Sequence, residues 1–124
     1  MSHDIVADGI NQMMNAIRAR KNSVSLKHSS KLLLSVLAIA KLKGYVKSYT
    51  MKKGLLEVEI GKLNACKSIK PRFMVSVNDI DKYIKRYLPA KDIGIIIIST
   101  SKGLMTNNTA IEKNVGGSLI AYFY

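Results

Sequence analysis

The chain has little of what most enzyme sites are made from. It holds one cysteine, two histidines and eight acidic residues in 124. A single cysteine, Cys66, excludes an intramolecular disulfide framework and suits a reducing compartment. With one distant histidine for company it has no metal-ligand spacing and no partner base, so neither a zinc site nor a thiol nucleophile is expected. His28 sits beside Ser29 and Ser30 without an orienting acid or a nucleophile-elbow pattern, and His3 lies at the terminus. No Gly-rich phosphate-binding motif occurs. No apolar run approaches the roughly 20 residues of a membrane span. The longest, Ile93 to Ile98, is interrupted by Gly94. Met1-Ser2-His3-Asp4 shows no basic stretch followed by an apolar one, so no secretory signal is read. Neither catalysis, cofactor, metal, small-molecule substrate nor membrane is expected.

What is abundant is positive charge. Lysine and arginine number 20, and the formal net charge is +12. Between Gly9 and Leu56 stand Arg18, Arg20, Lys21, Lys27, Lys31, Lys41, Lys43, Lys47, Lys52 and Lys53 with no acid among them. Lys62, Lys67, Lys70 and Arg72 follow, again without an acid, between Ile60 and Asn78. An ordinary soluble surface intersperses both signs. Such an excess repels itself unless a polyanion screens it, and nucleic acid is the polyanion it suits. The alternative is a highly soluble lysine-rich surface. With 48% hydrophobic residues the chain can bury a core and is not a disordered basic tail.

Periodicity predicts an α+β fold. Val6, Ile10, Met13 and Ile17 recur at helical spacing over Asp4 to about Arg20, with Ser2 or Asp4 as cap. Ser23 to Lys27 reads as a short strand. Ser29 or Ser30 caps a second helix with Leu33, Val36, Leu37 and Ala40 on one face, stopped by Gly44. Tyr45 to Thr50 and Leu55 to Ile60 form a hairpin around Met51-Lys52-Lys53-Gly54. Gly61 to Lys70 reads as irregular. Phe73 to Val77 alternates as a strand, and Asn78 caps a short helix carrying Ile80, Tyr83, Ile84 and Tyr87 in register. Gly94 to Ile98 has the continuous β-branched pattern of a strand buried on both faces. Ser99 to Gly103 is a polar turn, Thr106 caps a helix over Asn107 to Lys113, Gly116-Gly117 is a turn, and Leu119 to Tyr124 is a closing strand. We divide the chain into an N-terminal α/β lobe, 1–62, and a C-terminal β-rich lobe, 63–124, the second of which the features below mark as RNA-binding.

Ser99, Thr100 and Ser101 place short hydroxyls in succession at the end of a rigid strand. Hydroxyls donate and accept, which suits base edges and 2′-OH groups in the shallow RNA minor groove. Lys102 can meet a phosphate, and Gly103 permits close backbone approach. Ordinary turn chemistry is the competing reading. Tyr83 reads as core. Tyr87, beside Arg86, is either core or a ring for base stacking. Lys53, Lys70 and Arg72 are candidate phosphate contacts.

These residues resemble a known family. Ser99-Thr100-Ser101-Lys102-Gly103-Leu104-Met105, followed by Gly116-Gly117 and an aromatic C-terminus, is similar to the family of small-subunit ribosomal protein eight. Ala7-Asp8, Ile17-Arg18 and Ser29-Ser30-Lys31-Leu32 agree in the N-terminal half. Gly61-Lys62-Leu63-Asn64-Ala65-Cys66, Ile69-Lys70-Pro71-Arg72-Phe73 and Arg86-Tyr87-Leu88-Pro89-Ala90 look like its archaeal and eukaryotic branch. The similarity runs the whole length in the expected order. It implies two packed lobes and a cytoplasmic place in the small ribosomal subunit. It also implies direct binding to the central domain of small-subunit rRNA, contact with neighbouring small-subunit ribosomal proteins, and assembly of the platform. By resemblance, Ser99, Thr100, Ser101 and Gly103 enter an rRNA minor groove with Gly116 and Gly117 in the adjacent loop. Ser30 and Lys31 then touch a second rRNA region. The chain departs from the family pattern at Ser118, where a charged residue is usual, at Asn107-Asn108, at Lys67 and in the shortened 51–54 turn. Gly9 falls inside the first helix. The alternative function is a translational regulator outside the ribosome that uses the same RNA-binding fold.

Overall fold

The computed structural model describes residues 4–70, 72, 74–90 and 92–124. The alternative cap Ser2 and the strand start at Phe73 lie outside the described residues. The fold is α+β, and the chain divides into two compact units, the first ending at Lys67 and the second starting at Ser68.

In the first unit, α1 spans Ile5–Arg18. Asp4 is the cap, its Oδ1 accepting from the Ala7 N–H at 3.1 Å. Val6, Ala7, Gly9, Ile10, Met13 and Ala16 are buried, the spacing of one helical face. Gly9 has a reason to be there. A Cβ at that position would press on both Leu33 δ-carbons at 3.2 Å. The helix therefore gives up about 1 kcal/mol of propensity for a close approach to α2. β1 is Ser23–Leu26 and α2 is Lys31–Leu42. Of the two candidate caps Ser30 is the one used, its Oγ accepting from the Leu33 N–H at 3.1 Å. Leu33, Val36, Leu37 and Ala40 are buried as the periodicity requires.

β2 (Val46–Lys52) and β3 (Leu55–Ile60) form the hairpin. Its turn is tighter than expected. The strands run on to Lys52 and Leu55, leaving Lys53 and Gly54 at φ +51° and +80°. Positive φ at both central positions gives a turn whose twist matches that of the strands. The sheet order is β1-β3-β2, all antiparallel. Leu26, Val46, Leu56 and Val58 are buried on one face, where α1 and α2 pack. Ser23 and Ser25 face Glu59 and Glu57 in register, and Ser48 and Thr50 flank the same glutamates from β2.

Residues 61–70 are not wholly irregular, because β4 (Cys66–Ser68) forms there. The expected strand over 73–77 is also shorter. β5 holds Met74–Val75, and Val77–Asp79 is a 3-10 turn. Asn78 lies inside that turn instead of capping α3 (Ile80–Tyr87). The hydroxyl of Ser76 donates to Asp79 Oδ2 at 3.0 Å and closes the turn. β6 (Ile95–Thr100) carries the expected unbroken run, Ile95 to Ile98 all buried. It is hydrogen-bonded to β7 (Gly103–Thr106), a strand the sequence reading lacked, and to β8 (Gly117–Phe123). The sheet order is β4-β8-β6-β7, with β5 also on β8. α4 is Asn107–Glu112, capped by Thr106. Asn107 is fully buried, and its Oδ1 accepts from the Ile96 N–H at 3.1 Å. The core gathers Ile80, Ile84 and Leu88 against Ile96, Ile98, Met105, Ala110 and Leu119.

Candidate nucleic-acid interface

The serine-rich segment is two things, a strand end and a turn. Ser99 and Thr100 belong to β6, Gly103 opens β7, and Ser101 and Lys102 alone make the turn. Thr100 pairs with Gly103 across it. The Thr100 hydroxyl donates to the Gly103 carbonyl at 2.8 Å and accepts from the Lys102 N–H at 3.0 Å. That hydroxyl is spent on holding the turn. Gly103, at φ +107° with open space around it, supplies the backbone conformation that lets β7 begin. Ser101 is left exposed at the tip beside exposed Lys102. Ser99 is half-buried, with Leu104 opposite on one side and Ser118 on the other.

Gly116-Gly117 is not a free turn. Gly117 is the first residue of β8 and pairs with Val75 of β5. A Cβ on Gly117 would run into the carbonyl oxygen of Ser99, and one on Gly116 into the carbonyl oxygen of Val75. Glycine is required because two neighbouring backbones occupy the space. The same packing brings Gly116, Gly117 and Ser118 to the end of the sheet where Ser99 to Gly103 turn. Arg72 stands just before β5 on that strand's approach, and Lys70 follows Ile69, whose N–H donates to the Ile120 carbonyl at 2.9 Å.

Tyr87 stacks with Tyr83 at 6.3 Å and with Tyr122 at 5.3 Å between centroids. Tyr122 continues the series to Tyr124 at 6.1 Å. The Arg86 guanidinium lies 5.6 Å from the Tyr87 centroid. This ladder joins α3 to β8 and engages Tyr87 with two neighbouring rings. The sequence held half of this signal, with Tyr83 and Tyr87 four apart on a helix and Tyr122 and Tyr124 two apart on a strand.

Ser30, Lys31 and Lys53 belong to the first unit. The Ser30 hydroxyl accepts the cap hydrogen bond, while Lys31 in the first turn of α2 and Lys53 at the hairpin tip are exposed. Cys66 is buried, donates to the Ile10 carbonyl at 3.6 Å, and has its thiol pushed up to about 12 by burial, the opposite of an activated nucleophile. Among the described residues no group of His, Cys, Asp and Glu could hold a metal ion, and no helix is long and apolar enough to cross a membrane.

The profile of the family described as Ribosomal protein S8 matches residues 4–124. The chain belongs to the ribosomal protein S8 family. The small ribosomal subunit protein uS8 of Nanoarchaeum equitans (strain Kin4-M) is 40% identical over 129 residues, covering all of both chains. As a ribosomal protein S8 family member the chain is a structural protein of the cytoplasmic small ribosomal subunit and not an enzyme. Binding of rRNA is general to this family.

Proposed function

We propose that the chain binds the central domain of small-subunit rRNA directly and helps assemble the platform, reading a minor groove with the end of the second unit's sheet. The carrying observation is the juxtaposition of the Ser101-Lys102 turn with Gly116 and Gly117 on one rigid sheet end. Ser101 donates to and accepts from base edges or 2′-OH groups, with Ser99 behind it. Thr100 holds the turn in shape. Lys102, Lys70 and Arg72 neutralise phosphates, and the small residues Gly103, Gly116 and Gly117 keep the approach open. Tyr87 contributes by fixing α3 on β8 instead of by stacking a base. In the first unit Ser30, Lys31 and Lys53 meet a second rRNA region, and neighbouring small-subunit proteins complete the partners. This division follows RNA physics, where charge positions the protein and local shape is read by hydrogen bonds.

The test is binding to a central-domain rRNA fragment against a scrambled duplex of equal length, across a salt series. Preference for the fragment should persist as salt rises. Ser101→Ala should weaken fragment binding by about 1–2 kcal/mol, the cost of a hydrogen bond left partly unsatisfied, and leave the duplex unaffected. Equal affinities that fall together with salt, or an unchanged Ser101→Ala variant, would overturn the minor-groove reading.

A further inference from the structure

We propose that the outer edge of β1 is a strand-addition site, taking an extended polypeptide segment of another protein of the small subunit into the groove between β1 and α1. The register decides which backbone groups are available. Asn22 accepts from the Ile60 N–H at 2.8 Å, and Val24 and Leu26 face Val58 and Leu56 in the same alternation. In an antiparallel pair the intervening residues turn their N–H and C=O to the other side. Those residues are Ser23 and Ser25, both exposed. Their backbone groups open into a groove of about 440 Å³ lined also by Gln12, Asn15 and Ala16 of α1, by Ala19 at its C-terminal cap and by Lys21.

Three features of this groove suit a peptide strand. Two of its lining residues, Ala16 and Ala19, are small and leave room for a backbone. Gln12 and Asn15, three apart on α1, are carboxamides, which donate and accept as a peptide group does, so they can meet the far edge of an inserted strand. The edge itself is undefended. β2, the opposite edge of this sheet, carries Lys47, Lys52 and a register shift between Val46 and Ser48. Lysines and bulges within a strand are devices that block strand addition, and β1 itself (Ser-Val-Ser-Leu) has neither, its nearest lysines, Lys21 and Lys27, standing outside it. RNA fits less well. Its phosphates, the groups a basic groove draws first, only accept hydrogen bonds, and its donors are scattered 2′-OH and base amino groups, whereas a peptide strand alternates donor and acceptor in register with the N–H and C=O of Ser23 and Ser25. Lys21 in the groove, with Arg18 and Arg20 before it, favours a segment carrying an acidic side chain. Main-chain hydrogen bonds then give affinity and the charge gives direction.

The experiment uses the full chain in assembled small subunits. The exposed Ala19 is replaced by the photo-crosslinker p-benzoylphenylalanine and the subunits are irradiated. The expected product is a crosslink to an extended, acid-bearing protein segment. Ser25→Pro removes only an outward N–H, which an edge strand tolerates. It should lower the crosslink yield at least tenfold, with thermal unfolding and rRNA-fragment affinity unchanged. A crosslink to rRNA, no crosslink, or a protein crosslink that survives Ser25→Pro would each overturn the proposal. Should the proline variant fail to fold, amide exchange of the unmodified chain decides. Ser23 and Ser25 amides must exchange at least tenfold more slowly in subunits than in the free chain, and equal rates refute strand addition. The second unit's hairpin plays no part here, so failure of the minor-groove reading leaves this test intact.

Discussion

Gly117→Ala separates a structural glycine from a recognition glycine. Gly117 lacks the positive φ found at Gly103 and Gly94, so alanine carries no dihedral strain there. What opposes the methyl is the carbonyl oxygen of Ser99, with the Ser99 carbonyl carbon at 2.9 Å and Ile98 Cγ2 at 3.0 Å. Ser99 lies on β6, which is hydrogen-bonded to β7 on one side and β8 on the other, so it cannot shift without disturbing both. Over-packing costs typically about 1–3 kcal/mol where side chains can move, and with backbone opposing backbone the upper end, about 3 kcal/mol, applies. For a chain of this length that is a fall of about 10 °C in the unfolding midpoint. The assay is thermal unfolding of the RNA-free protein by circular dichroism. Gly103→Ala is the control, with open space but φ +107°, so only about 1–2 kcal/mol of left-handed strain should appear. A Gly117→Ala midpoint equal to the parent's would refute the close approach. If the same variant then lost only rRNA affinity, the glycine pair would belong to recognition alone.

Ser30→Ala removes the α2 cap and should cost about 1 kcal/mol in denaturant unfolding; an unchanged midpoint would show that water replaces the Leu33 hydrogen bond. Tyr87→Ala breaks the ladder between α3 and β8. Each aromatic pair contributes about 0.5–1.5 kcal/mol beyond its buried area, so the free protein should lose stability, whereas a variant that is stable but weak toward RNA would return Tyr87 to base stacking. Cys66 has its thiol pushed up to about 12 by burial. From about pH 9 to about pH 12 the unfolded chain loses that proton while the folded chain keeps it, so stability should fall with pH by up to about 1.4 kcal/mol per unit from this group. Cys66→Ala should flatten that part of the curve, and an equal slope in both proteins would sink the linkage.

The elements best legible in the sequence were those with strong periodicity and one local cap. α1 and α2 satisfy their backbones from residues three or four positions away and are locally capped, while β6, though hydrogen-bonded to β7 and β8, announces itself by its unbroken β-branched run. The misread segments are those whose form is set by a partner distant in the chain. β4 has no apolar alternation long enough to announce it, and β5 is shortened because Ser76 and Asp79 close a 3-10 turn at once. Gly116-Gly117 looks like a turn in one dimension, because nothing local says that Val75 and Ser99 crowd it. The same holds for the candidate site. A run of Ser-Thr-Ser suggests three equivalent hydroxyls, yet pairing of Thr100 with Gly103 commits one to the turn, and the neighbours Leu104 and Ser118 flank another. Chemistry that depends on which side of a strand a group faces becomes visible only with the register. That is why Ser101 carries the recognition reading, and why the outward N–H groups of Ser23 and Ser25 had no signature in the sequence at all.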